Sequence, residues 1–522
     1  MNSPAAGGGI RPGVHPALIA MVVGLAAFME VLDISIANVS LRNIAGSLSA
    51  GQEESTWVLT SYLVANAIVL PMSAWFSTLF GRKRFYILSI LLFTASSLLC
   101  GLAPSLGMLI FFRVLQGLGG GALQPVSQSI LADAFPGKSR NMAFAIYGMS
   151  VVAAPAIGPT LGGWITDNYS WHWIFLINVP VGLVLAGLTR FLLRDPDEFV
   201  AMRREKFREG FSVDYVGFSL IAIGLGTLQI VLDKGQQDDW FESHMILALS
   251  VISAIALIAA VIWELGNEHP VVNLRLFKDR NFTASWVLMF MLGLVLLGST
   301  VLLPLMTQTL YGYSPMRAGM VISPGGVTIL LLMPLVALLI SRVDVRYLIF
   351  FGLFTVTASM FHMTTLTMDA DYTTLMLARV FQTLGLAFLF IPINTIAYVD
   401  LPAGEGGNAS ALTNLARNIG GSVGISVLTT ALSRGTQRHQ ALLVGHVSAL
   451  DPNFAATSQA LTQRLGDPAA AQGLIASMVQ QQSMMLSFID DFRLMAFIVI
   501  AVVPMMFLFR KMKPGAHVDF GH

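Results

Sequence analysis

The sequence predicts an all-α integral membrane protein of about fourteen spans, built as two six-helix bundles with two extra central helices between them. Three observations predict it. The 522 residues are 55% hydrophobic and only 11% charged, and at a mean hydropathy of +0.72 the polar surface is too small to enclose the apolar mass in water. Apolar stretches of spanning length recur along the chain, and Lys and Arg gather at alternate ends of them.

A polar, Gly/Pro-rich tail over residues 1–16 precedes the first span, expected at about 17 to 37. That span is too long, and lacks the small-residue cleavage site, to be a removed signal peptide. Five more follow at about 57 to 79, 85 to 103, 107 to 131, 142 to 165 and 173 to 193, completing a bundle over 17–194. A charged connector and two more spans, near 215 to 232 and 245 to 263, occupy 195–281. The second bundle, 282–513, has spans at about 283 to 306, 317 to 340, 347 to 366, 373 to 399, 409 to 433 and 492 to 510, and a tail closes the chain over 514–522. Its long connector, 434–490, is rich in Gln, Ala and Ser; Asp467 and Pro468 open a stretch where Leu474, Met478, Met485 and Phe488 have helical spacing.

Basic residues orient this plan. With the N-terminus inside, Arg82, Lys83, Arg84, Lys138, Arg140, Arg203, Arg204, Lys206, Arg208, Arg275, Lys278, Arg280, Arg342, Arg346, Arg510, Lys511 and Lys513 all face the cytoplasm. Outside loops receive only Arg42, Lys234, Arg317, Arg434, Arg438 and Arg464. Both termini are therefore expected inside, with 434–490 outside.

The formal net charge of +1 gives no electrostatic case for a nucleic-acid partner. Cys100 is the single cysteine, so no disulfide or cysteine-based metal site forms within one chain, and it reads as a packed apolar residue. There is no HExxH, no Walker loop and no GxSxG in a suitable context, which leaves hydrolysis and nucleotide-driven transport unsupported and calls for no cofactor or metal. His362, in the eleventh span, reads as a packing or cavity residue without ligand partners.

Charges within spans are the candidates for function, because a charge in hydrocarbon costs several kcal/mol unless it faces a partner or water. Glu30 and Asp33 are three apart, on one face of the first helix. Asp33 lies about six residues outward from the middle of its span and Arg113 about six outward from the middle of the fourth, so at 1.5 Å per residue both sit roughly 9 Å toward the outside. A carboxylate beside a cation, partly desolvated, is poised to bind and lose a proton. Asp33 is thus the expected proton-coupling group, with Arg113 biasing its charge and Glu30 modulating protonation or meeting cationic substrate. A structural ion pair is the alternative reading. Arg379 and Arg417 read equally as functional groups or as clamps to backbone carbonyls.

The fourth spans of the two bundles carry matching stretches, RVLQGLG from Arg113 with Gln116, and RVFQTLG from Arg379. This is what a duplicated bundle around a cavity predicts. In the fifth span, Gly158, Gly162 and Gly163 are expected to admit a neighbouring helix closely, while Pro155 and Pro159 bend the span and free carbonyls. Gly81, Arg82 and Arg84 belong to a tight basic turn between the second and third spans.

Together these motifs resemble the major facilitator superfamily, in particular its fourteen-helix drug:proton antiporters of the EmrB/QacA type, from about Leu25 to Lys513. LDISIANVSL is similar to that branch's first-helix signature and places Asp33 and Asn38 on its acidic and amide positions. RVLQGLGGG and APAIGPTLGG resemble the family's fourth-helix and fifth-helix antiporter motifs; WHWIFLINVP, LQIVLDKGQQDDWF, HPVVNLRLF and NLARNIGGSVG are further similar stretches. The resemblance implies proton-coupled efflux of small amphipathic molecules by alternating access. It also implies a Gram-negative inner membrane, a periplasmic EmrA-like adaptor and an outer-membrane channel. Where the family's loop motif has Gly and Asp, this chain has Ala74 and Thr78, which puts the cytoplasmic latch attributed to that Asp in doubt. By position, Phe28, Met29, Asn38, Tyr62, Asn66, Gln116, Gln124, Gln128, Met149, Gln308, Asn394, Asn414 and Arg417 are candidates to line the cavity. A dedicated exporter of one metabolite, such as a fatty acid or siderophore, and a passive channel are the competing readings.

Overall fold

A span in hydrocarbon must satisfy its backbone internally, and among the described residues every span is helical. The computed structural model describes residues 16–135, 138–208, 214–268, 270–402, 404–445, 447 and 452–510. The tails expected at 1–16 and 514–522 fall outside the described residues except for Pro16, as do Lys511 and Lys513 and the side chains of Lys138 and Lys206.

The first half comprises α1 (Pro16–Ser47), α2 (Gln52–Ser55), α3 (Trp57–Phe80), α4 (Arg82–Gly101), α5 (Leu106–Gly120), α6 (Leu123–Ala134), α7 (Lys138–Asn168), α8 (Trp173–Leu176) and α9 (Asn178–Leu192). A charged helix, α10 (Asp197–Arg208), leads to the paired α11 (Tyr215–Lys234) and α12 (His244–Gly266). The second half comprises α13 (Arg280–Thr309), α14 (Pro315–Ile340), α15 (Val345–Met363), α16 (Tyr372–Ala397), α17 (Gly406–Val444), α18 (Pro452–Leu465) and α19 (Pro468–Val502). Side-chain caps set several starts: Ser105, Asp214, Asp279, Ser314, Asp344, Asp371 and Asp467 each accept from a backbone N–H of the first turn.

Among the described residues, twelve helical stretches are long and apolar enough to cross a membrane, α5 with α6 and α8 with α9 each counting as one. α7 makes a thirteenth if its two pieces, bent by 47° after Pro155, are taken together. The expected fourteenth, α17, does not pass on composition. Its N-terminal half carries Asn408, Thr413, Asn414, Arg417 and Asn418, and Asn414 and Arg417 are buried inside the protein. Its polar side faces other helices rather than lipid, so hydropathy understates it.

The halves meet along two seams. α7 packs against α1 on one side and α14 on the other; α17 packs along α13 and touches α3. The prolines of α7 act as expected. Pro159 cannot donate to the carbonyl of Pro155, and that carbonyl accepts instead from Ser35 Oγ at 3.4 Å. Gly158 and Gly162 lie against Ser35 and Ile36 of α1, where a Cβ on Gly162 would stand 3.0 Å from Ile36 Cγ2. Gly163 departs from the expectation: nothing lies within 4 Å of the place its Cβ would take, because the next residue round a helix points about 100° away.

α11 lies against both α3 and α17. Thr60 donates to Asp233 and Lys234 to Thr56, while Gln229 bonds Ser422 at 3.0 Å and Trp240 Nε1 donates to Thr430 at 3.1 Å. The long connector at 434–490 is largely helical where described. α17 runs on to Val444, and α19 begins at Pro468 under the Asp467 cap, burying Met485 and Phe488 while Leu474 and Met478 stay exposed.

Candidate functional site

Two buried polar clusters share one tyrosine. In the first, Asp33 of α1 and Arg113 of α5 meet at 2.5 Å, with 1% and 0% of their side chains exposed. The other carboxylate oxygen, Oδ1, accepts from Gln116 Nε2 at 3.0 Å and Asn178 Nδ2 at 2.8 Å. Arg113 also donates to Gln116 Oε1 at 2.8 Å and to the Val58 carbonyl at 2.9 Å, and its guanidinium sits 4.2 Å from the Tyr62 ring centroid. Ser97 accepts from both Gln116 and Asn178 at 3.1 Å, and Cys100 Sγ donates to Gln116 at 3.5 Å. Cys100, read from the sequence as a packed apolar residue, is therefore at the edge of this cluster.

Every group facing the Asp33 carboxylate is a donor. A proton added there would remove the charge that strengthens the Arg113 bond and would find no acceptor among these partners.

In the second cluster Glu30, one helical turn from Asp33, accepts from Asn66 at 3.0 Å, from the Tyr62 hydroxyl at 3.4 Å and from Gln124. Gln124 in turn accepts from Arg417 of the second half, and Arg417 donates to Asn414 at 3.1 Å. Asn414 donates to Gln128 at 2.7 Å, and Ser410 donates to Gln128 at 3.1 Å and to the Pro125 carbonyl at 2.7 Å. Gln124 and Gln128 stand four apart on α6, so one helix face carries these two links between the halves, while Thr160 with Ser323 at 3.1 Å and Thr395 with Asn141 at 3.3 Å add others.

Other candidates lie elsewhere. Asn38 is exposed, five residues beyond Asp33 and so turned about 140° round the helix from it. Gln308 is exposed at the end of α13. Asn394 is buried but donates to Phe390 O of its own helix, and His362 is exposed with its ring 6.2 Å from that of Phe381. Met29 is buried; Phe28 and Met149 are half-buried apolar packing. Arg379 repeats the geometry of Arg113 without a carboxylate: it donates to Gln382 at 2.7 Å, Ser299 at 2.8 Å and Thr300 at 3.0 Å. Asn178, Ser97, Ser410 and Tyr398, whose hydroxyl donates to Gln128 Oε1 at 3.5 Å, do not stand out in the sequence, where neutral polar residues in spans are common.

At the basic end of the bundle, Gly81 takes φ +87°, a turn that favours glycine, and lets α4 begin immediately after α3. Arg82 pairs with Asp133 at 2.5 Å and lies 4.5 Å from the Phe199 ring centroid, whereas Arg84 is exposed. The carbonyls of Thr78 and Leu79 that end α3 accept from Arg203 of α10 at 2.8 and 2.9 Å.

The Major Facilitator Superfamily profile matches residues 23–425. The chain is 38% identical to the probable multidrug resistance protein EmrY of Escherichia coli (strain K12), over 93% of this chain and 94% of that one. It is 36% identical to the multidrug export protein EmrB of the same organism, over 91% of each. It is 35% identical to the fatty acid resistance protein FarB of Neisseria gonorrhoeae, over 98% of each. Among solved structures, the proton:xylose symporter XylE shares the fold at a TM-score of 0.62 and 14% identity, covering 96% of this chain and 97% of that one. The chain belongs to the Major Facilitator Superfamily, in the family of EmrB-type and EmrY-type multidrug exporters.

Proposed function

We propose that this protein is a multidrug efflux transporter that exports small amphipathic molecules by alternating access, in exchange for protons bound at Asp33. The observation that carries the coupling is the carboxylate of Asp33, buried among Arg113, Gln116 and Asn178. A proton taken up there loosens Arg113, and with it the union of α1, α5 and α9; loss of the proton restores it. Glu30, through Gln124 and Arg417, joins the halves on the same side of α1, so a change at Asp33 reaches the contact between them within one helical turn.

The reading includes fourteen spans, with α17 the last to be counted. The basic end faces the cytoplasm of a bacterial inner membrane, with both termini there. The helical extension of α17 and α19 then stands in the periplasm, where an EmrA-like adaptor and an outer-membrane channel complete a tripartite pump. Relatives named as multidrug exporters support the substrate range. The relative named for fatty acid resistance favours a second reading, a dedicated fatty acid exporter.

The test is ethidium efflux from energised cells that lack their own pumps and carry the adaptor gene. Wild type should clear the dye, and efflux should vanish with the proton gradient and in Asp33→Asn at equal membrane expression. Undiminished efflux by Asp33→Asn would end the coupling assignment. Absence of ethidium efflux by wild type, with export of a fatty acid, would move the assignment to the second reading.

A further inference from the structure

α10 is an amphipathic helix lying across the basic end of the bundle, and it touches both halves. On the first half, Arg203 holds the carbonyl end of α3 through Thr78 and Leu79, and Asp195, just before α10, accepts from the Lys83 backbone N–H at 2.9 Å. Phe199 lies under Arg82. On the second half, Met202 reaches Gly404, which holds φ +86° and whose Cβ would stand 3.0 Å from the Met202 sulfur. A cation at the carbonyl end of a helix is favourable electrostatically, and the bond is stronger for being charge-assisted.

Behind α10 is a cavity of about 400 Å3 between the halves. Ser77, Ser129 and Trp75 line it with Glu405 of the second half, Phe199 and Met202 of α10, and Asn273 and Arg275 of the connector after α12. Pro125 forms part of the inner wall, and the Pro125 carbonyl is the one held by Ser410. Ser129 and Pro125 each follow directly in sequence on Gln128 and Gln124, the residues that tie the halves together. The cavity therefore ends against the central polar network.

We propose that this cavity is a vestibule admitting an amphipathic molecule from the basic end, and that α10 is its lid. Serine hydroxyls and the Glu405 carboxylate serve the polar part of such a molecule, and Trp75 and Phe199 its apolar rings. Parting the halves at this end breaks either the bonds of Arg203 to the end of α3 or the contact of Met202 with Gly404, so α10 leaves one half whenever the vestibule opens. The identity of the ligand class rests on the exporter reading; the lid does not.

The test uses the full-length protein in inside-out membrane vesicles. Ser77 and Ser129 line the cavity yet are only 6% and 5% exposed, so Ser77→Cys or Ser129→Cys reports opening through its rate of reaction with a membrane-impermeant maleimide. The parent protein, whose Cys100 is fully buried, supplies the background. Adding Arg203→Ala, or separately Phe199→Ala, should raise the labelling rate about tenfold, and Arg203→Lys should restore part of the protection. Unchanged labelling in both alanine variants, with the proteins monodisperse and at wild-type abundance, overturns the lid. If one variant misfolds, the other decides. Labelling requires neither substrate nor a proton gradient: loss of dye efflux with an intact labelling response overturns the exporter reading and leaves the lid standing, and the reverse pattern does the opposite.

Discussion

Asn178 is the residue whose removal best separates the carboxylate's charge partner from its neutral donors. It donates to both Asp33 and Ser97, while Arg113 is left in place. Asn178→Ala should lower the stability of the purified protein by about 1–3 kcal/mol, the usual cost of leaving a buried acceptor short of a donor. Thermal unfolding in detergent measures this, and the same variant should slow dye efflux without abolishing it. The Asp33 and Arg113 pair was legible in the sequence because helix rise alone puts the two charges level. Asn178 was not: a neutral amide carries no cost in a span large enough to demand a partner, so nothing in the string separates it from the many other polar residues. Asn38 shows a related limit, since the signature motif names its position but not the helical angle that turns it away from Asp33.

For single elements, the contrast within α7 is sharp. Gly158 lies against Ser35 and Gly163 faces open space, although both belong to the same glycine-rich stretch. Gly158→Val should cost about 1–3 kcal/mol by overpacking the α1 contact. Gly163→Ala should be neutral or stabilising by up to about 1 kcal/mol, since alanine is the better helix former. Melting of the two purified variants side by side would show whether the stretch acts as a unit or through particular residues. Most helices were legible as apolar runs of spanning length. α17 is the exception in composition: its cost in hydrocarbon is offset by packing its polar residues against α6 and α13, which no single-helix hydropathy can register. The helical continuation of α19 was visible in the Asp467 cap and in the spacing of Met485 and Phe488, whereas α10 as a bridge was not, because its role depends on which carbonyls the chain brings beneath Arg203.

At the scale of the whole molecule, the two halves are joined at the centre by a hydrogen-bond relay rather than, among the described residues, a direct ion pair. Glu30 and Arg417 are connected through the amide of Gln124, which donates to one and accepts from the other. A double-mutant cycle of Glu30→Gln and Arg417→Gln should therefore be non-additive by about 0.5–3 kcal/mol, and the coupling should fall toward zero in a Gln124→Ala background. Chemical unfolding of the four proteins in each background measures it. The internal duplication was legible in RVLQGLG and RVFQTLG, yet the structure reveals an asymmetry those strings conceal. Arg113 has Asp33 opposite it, while among the described residues the side chain of Arg379 donates to Ser299, Thr300 and Gln382 and to no carboxylate.

The helix pair between the halves is keyed into its neighbours by side chains on both sides. Thr56 and Thr60 on the first half, and Ser422 and Thr430 on the second, spend polar groups on α11 and on Trp240 beyond it. Excising the pair to leave a twelve-helix chain would remove these partners on both sides of the seam at once; Thr60 and Thr430 would keep the carbonyls of Thr56 and Ser426, while Ser422 would lose Gln229. The pair therefore acts as a spline keyed into both halves, and its removal would disturb the first-half and second-half faces together.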